Sequence, residues 1–280
     1  MKHTYAIVLV TALSVIILSC ASSPFESRSY DTITNSLDSF SKENFKGDIT
    51  GLTLHYHKSN MDGTMPSEVY VHYSSNSRSE SFKIYPWSEK KKEVYLIIAD
   101  YDLDNFQVSA ISGNFVHSDG ELEEYATLKF DNNEFRYTIK GKEHAPIVPG
   151  HTPAYIFNFD LTDFNSMIRY LDPKTKNLDI GIIGLGNTGF VYSGKVRIER
   201  DLQNGTDDSL VFTMGGEAFN DRAGTMTIDG KNGYVTEYAL PMPTTVPYKT
   251  FTFVLSDVSY MNETEWRALV VQKTAEILNH

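Results

Sequence analysis

From residue 49 onward the hydrophobic pattern of this chain has a period of two, and that period recurs almost to its end. Leu52, Leu54 and Tyr56 fall on one side of the first run, while Thr53, His55 and His57 fall on the other. The alternation returns in Val69/Val71/Tyr73, Phe82/Ile84, Ala126/Leu128/Phe130, Phe135/Tyr137/Ile139 and Tyr155/Phe157/Phe159. It appears again in Val196/Ile198, Met226/Ile228 and Phe251/Phe253/Leu255. Successive side chains of a strand point to opposite faces, so each run predicts a strand with one buried face. Asp131-Asn132-Asn133 and Asp229-Gly230-Lys231-Asn232-Gly233 lie between runs and predict hairpin turns, because Asn and Gly accept positive φ. The expectation is a mainly β protein with about ten or eleven strands, mostly antiparallel, in one sheet system rather than βαβ units.

Two helical signals interrupt that pattern. Thr162 or Asp163 can cap a short helix carrying Phe164, Met167, Ile168 and Leu171, which Asp172-Pro173 then stops. Asn262 followed three residues later by Glu265 is a capping-box signature. Behind it Trp266, Leu269, Val270, Ala275, Ile277 and Leu278 form an apolar stripe that should dock on an open end or face of the sheet. A further short amphipathic helix is expected between Asp31 and Phe45, after a polar tether at residues 21–30.

The first twenty residues bear on compartment. A basic start (Lys2, His3) and an uncharged run from Tyr5 to Leu18 lead into Ile17-Leu18-Ser19-Cys20. This resembles a bacterial lipoprotein signal ending in a lipobox, with Cys20 as the lipidated first residue of the mature chain. The run is shorter than the about 20 residues that span a bilayer. A cleavable secretory signal with an incidental Cys20 is the other reading. The resemblance implies an envelope protein attached to the membrane through acyl chains on Cys20, and Ala21 after it implies the outer membrane, facing the periplasm. Cys20 is the only cysteine, so no disulfide stabilises the body and a packed core must. The formal charge of −11 repels phosphate backbones and anionic headgroups, so nucleic acid is not an expected partner.

Several clusters were candidates for chemistry. His55 and His57 share a strand face at metal-binding spacing, with His72 conceivable as a third ligand, but no Cys or HExxH pattern completes a zinc set, and solvent-facing histidines are the simpler reading. Asp100, Asp102, Asp104 and Asn105 resemble the opening of a calcium loop, yet Asn105 and Ile111 stand where that loop needs Gly and Glu. Gly181-Ile182-Ile183-Gly184-Leu185-Gly186 has the wrong order for a dinucleotide loop and reads as a turn or a close backbone approach. Glu121, Glu123 and Glu124 beside Asp119-Gly120 read as an acidic turn. No GxSxG, SxxK or Cys–His pair supplies a nucleophile. The expectation is therefore no catalytic residue, no metal and no cofactor.

The order of "GLTLHYHKS", "SDGELEEYATLKFDNNEFRYTIKG", "PIVPGHTPAYIFNFDLTDFNSMIRYL" and "AGTMTIDGKNGYVTEYALPM" resembles a family of periplasmic proteins of unknown function, similar to the LolA/LolB lipoprotein carriers, over about residues 47–260. The resemblance implies a strongly curved, unclosed antiparallel half-barrel with helices on its concave side. It divides the chain into a signal (1–19), a lipidated tether with a short helix (20–46), the half-barrel (47–260) and a C-terminal amphipathic helix (261–280). It further implies a non-enzymatic module holding an apolar ligand, such as a lipid or acyl chain, or a partner segment. No protruding loop with an exposed Leu matches the membrane-inserting loop of LolB. A structural or assembly role in an envelope complex is the alternative, and a hydrolase without a recognisable motif the second.

Overall fold

The computed structural model describes residues 25–45, 47–86, 92–240 and 250–278. The lipobox and Cys20 lie outside the described residues. In chain order the strands are β1 (Thr34–Asn35), β2 (Leu52–Ser59), β3 (Ser67–Ser75), β4 (Arg78–Pro86), β5 (Lys92–Asp102), β6 (Gln107–Val116), β7 (Leu122–Asp131), β8 (Glu134–Ile139) and β9 (Lys142–Glu143). They continue as β10 (His151–Thr152), β11 (Ala154–Ile156), β12 (Asn177–Leu185), β13 (Phe190–Arg200), β14 (Ser209–Gly215), β15 (Gly224–Asp229), β16 (Val235–Leu240) and β17 (Phe251–Tyr260). The helices are α1 (Thr162–Ile168) and α2 (Glu263–Leu278). No helix among the described residues is long and apolar enough to cross a membrane.

Fifteen strands form one sheet in the order β11-β12-β13-β14-β15-β16-β17-β2-β3-β4-β5-β6-β7-β8-β9. It exceeds the expected ten or eleven because short and doubly buried strands show little alternation. Every neighbouring pair is antiparallel except β11–β12. The sheet is strongly curved and its ladder does not close. Across the seam the Gln107 side chain stands in for a missing strand: its Nε2 donates to Ala154 O at 2.7 Å, and Ala154 N donates to its Oε1 at 2.7 Å. Tyr155 adds a hydroxyl bond to Phe106 O at 2.9 Å.

The hairpin turns form where expected. Asn132 and Asn133 both take positive φ, and Asp229 accepts from the backbone N–H of Lys231 and Asn232 before Gly233 at φ 66°. The capping box at α2 is complete and reciprocal. Asn262 N donates to Glu265 Oε2 at 2.8 Å, and Glu265 N donates to Asn262 Oδ1 at 3.0 Å. α2 lies against the outer face of the sheet, where Trp266 and Val270 pack on Tyr70, Phe82, Leu96 and Val116. Its docking is fixed by polar contacts as well. Buried Glu80 accepts from Trp266 Nε1 at 2.7 Å and from Arg267 Nη2 at 2.8 Å.

Three expectations need correction. Residues 31–45 form no α-helix but two 3-10 turns (Leu37–Ser39 and Lys42–Asn44) and the strand β1, which pairs with β10. Their hydrophobic residues reach the barrel one at a time, as where Phe40 stacks on Phe106 at 5.3 Å, so no continuous helical face is needed. Residues 25–30 are not a free tether. Phe25 is buried against Phe157 and over Gly184, Arg28 N donates to Tyr192 O, and Tyr30 bonds Glu217. Finally, α1 is not capped by Thr162 or Asp163. Leu161, at φ 53°, precedes it, the Thr162 hydroxyl donates to Phe159 O, and the Asp163 carboxylate is turned toward Ile156 N.

Candidate functional site

A carrier of acyl chains needs a hollow, and the concave side of this sheet is occupied by its own chain. All seven residues of α1 are buried inside the curve. Phe164 and Met167 join Tyr56, Tyr73, Tyr238 and Phe253 in one continuous core. The polar residues of α1 are matched to the wall around them. Asn165 Nδ2 donates to Tyr56 Oη at 2.8 Å while its Oδ1 accepts from Val235 N at 2.9 Å. The Ser166 and Tyr101 hydroxyls lie 2.9 Å apart. These pairs make α1 part of the fold, since each broken one would leave a buried polar group unpaired. Among the described residues, the concave side is filled by α1 and the aromatic side chains packed around it.

At one end of the interior sits a charged cluster without a local sequence signal. Lys58 on β2 and Lys83 on β4 converge on Asp160, in the left-handed corner (φ 60°) ahead of α1. Lys58 pairs with Asp160 Oδ1, and Lys83 Nζ lies 3.0 Å from Oδ2 while donating to Asn158 O at 2.9 Å. All three side chains are buried. Burial pulls the Lys58 ammonium down to about 8, with Asp160 opposing and Lys83 reinforcing the shift. Burial works against the Asp160 carboxylate too, yet the two lysines hold it below its ordinary range. The cavity beside the cluster is about 20 Å³, room for about one water. Nearby Asp163 is buried and pairs with no cation among the described residues, and burial raises its carboxyl to about 7 despite N–H bonds from Ile156 and Phe164.

A larger, open groove of about 310 Å³ lies on the outside near the seam, between Leu37, Gln107, Phe130 and the polar residues Asp102, Asp131 and Asn132. Its carboxylates make it unsuited to an acyl chain. Asp102 is also committed locally. Asp104 N donates to its Oδ1 at 2.8 Å and Asn105 Nδ2 to its Oδ2 at 2.6 Å, while Asp100 pairs with Arg78 and Asp104 with Lys42. Asp102 thus caps its own turn. Glu123 pairs with His117 in a similar surface turn.

The histidines separate. His72 is buried, bonded through Nδ1 to Thr53 Oγ1 at 2.9 Å and stacked on Trp266 at 4.9 Å beneath α2. It does not join His55 and His57. Those two are neighbours on the outer face, with ring centroids 5.0 Å apart, and the residue they meet is Glu68 on β3, directly across the ladder from His57. Only the β2–β3 register could have revealed that third member.

The Gly181–Gly186 motif lies mainly in β12, so it is strand and not turn. Its close-approach reading holds. A Cβ on Gly181 would meet His151 O at 2.5 Å, and one on Gly184 would meet the Phe25 ring at 2.3 Å. One outer feature has no counterpart in the sequence pattern. The β16–β17 ladder ends at Glu237↔Val254, whereas β17 continues to Tyr260 paired only with β2. Beyond the bulge between Leu255 and Asp257, β17 has a free edge among the described residues, with Val258 and Tyr260 exposed.

No family model matches the chain, and no curated protein does. Among solved structures it is similar to a beta-barrel-like protein of domain of unknown function DUF1849 from Brucella abortus, at 8% identity and a TM-score of 0.44, over 76% of this chain and 99% of that one. The described residues form a mainly β protein with a large, curved, unclosed sheet and two α-helices.

Proposed function

We propose that this is a non-enzymatic envelope lipoprotein, anchored through Cys20 in the outer membrane and facing the periplasm, that presents the outside of a filled half-barrel to a protein partner. The observation that carries the reading is the plugged interior. With α1 and its aromatic neighbours packed into the concave side, the internal carriage of an apolar ligand loses its site, and the structural or assembly alternative gains by it. The free edge of β17 supplies a place for a partner. Unpaired strand edges are templates for an added strand, and proteins normally cover or blunt them. Here the edge carries exposed Val258 and Tyr260 instead.

The test is a photo-crosslinking residue at Val258, activated in intact cells, with the still more exposed Leu202 as a control position. A single adduct of one mass from Val258, absent from Leu202, is the expected result. Stoichiometric lipid released from the purified protein in native mass spectrometry would return the carrier reading and remove this one.

A further inference from the structure

We infer that His55, His57 and Glu68 form a binding site for one divalent transition-metal ion of the zinc class on the outer face of the barrel. The backbone supplies the arrangement. His55 and His57 are two apart on β2 and project from the same face, and Glu68 stands opposite His57 in the β2–β3 ladder. One ligand atom from each lies within 4.8 Å of the other two. Two imidazoles and a carboxylate are a donor set that zinc accepts, leaving a fourth position for water or a partner's side chain.

Several details point to a ligand rather than to three surface polar groups. His55 Nε2 is shut off from solvent and makes no hydrogen bond; Glu68 Oε1, at 3.7 Å, is its nearest charged neighbour, beyond hydrogen-bond reach. An imidazole nitrogen left this way carries a desolvation cost that a bound cation would offset. The His55 ring is held in place by stacking flat on Tyr70, 4.1 Å away at 3°. Glu68 is oriented from behind, its Oε2 accepting from Tyr70 Oη at 3.2 Å and from Lys273 Nζ of α2 at 3.3 Å, as outer-shell partners orient metal ligands. Asp257 faces His55 across the β17–β2 ladder at a bulge, which places a second carboxylate on the flank. Tetrahedral zinc holds its ligand atoms about 3.3 Å apart.

The experiment titrates ZnCl2 into the full chain, purified in detergent without a histidine tag and stripped with EDTA, with calorimetry as readout and the visible absorption of Co²⁺ as a second one. One equivalent bound with micromolar or tighter affinity, and an intense Co²⁺ band of low coordination number, are expected. His57→Ala and Glu68→Gln should each weaken binding at least tenfold, while His117→Ala, which removes another His–Glu pair, should leave it unchanged. Both affected positions are surface-facing, and circular dichroism confirms that the variants fold. Absence of a stoichiometric site in the unaltered chain, or equal loss in all three variants, would overturn the assignment.

Discussion

Removing Asp160 should be far more damaging than removing either lysine that touches it. The three charges form a buried unit with a net charge of one positive. Asp160→Asn raises that to two uncompensated ammonium groups in the interior, whereas Lys58→Met leaves a balanced Lys83–Asp160 pair whose 3.0 Å contact is untouched. Breaking a buried pair by deleting one partner costs about 3–5 kcal/mol. The loss for Lys58→Met should be nearer about 1 kcal/mol, the scale of its cation–π contact with Phe251 at 4.8 Å, because methionine preserves the buried stem. Urea unfolding followed by circular dichroism measures both. The deficit of Asp160→Asn should also shrink with rising pH. The folded Lys58 already sits at about 8, below its ordinary 10.5, and without Asp160 it falls further. A folded pKa below the unfolded one means fewer protons bound in the folded state between the two values, so stability rises with pH across that window. Equal losses for the two variants, or a deficit unchanged from neutral pH to about pH 10, would refute the charge argument.

Asp163 gives the opposite slope. Its folded carboxyl, near 7, lies above its ordinary 3.8, so the folded chain loses stability as pH rises between those values, and Asp163→Asn should be penalised at acid pH yet close the gap with the unaltered chain by pH 8 in the same unfolding assay. Asn262→Ala removes one side of the capping box and should cost about 1 kcal/mol, read as a lower urea midpoint with an unchanged slope. Gly184→Val should expel Phe25 from its seat, since even a Cβ there would fall 2.3 Å from the ring; protease cleavage near residues 25–30 should quicken while the barrel stays folded.

Some of this molecule was legible in the sequence and some was not, for physical reasons. The capping box and the Asn-rich turns were readable because a cap or a positive φ is decided within four or five residues. Half-buried strands such as β2 announce themselves by alternation. β12 did not, because both of its faces are covered and its glycines make room for His151, Ala154 and Phe25. Residues 25–45 were misread because their aromatic residues pack on partners far away in sequence, as Phe25 does on Phe157 and Phe40 on Phe106. The Lys58–Lys83–Asp160 cluster joins residues up to 102 positions apart, and Glu68 meets His57 only through strand register, so neither leaves a local trace.

The seam at Gln107 and Ala154 gives the barrel an unusual division of labour. Where the ladder stops, between β9 and β11, the covalent chain itself carries on across the gap through residues 144–153. Where the last strand of the sheet returns to β2, a ladder running from Thr252↔Ser59 to Tyr260↔Leu52 joins them. The covalent chain bridges the one gap in the ladder of the described residues, and hydrogen bonds join the strands far apart in sequence. The halves on either side are meanders of mostly local pairings, each able to form early. The β17–β2 ladder joins residues about 200 positions apart, which makes it the pairing with the largest loop-closure cost in the sheet.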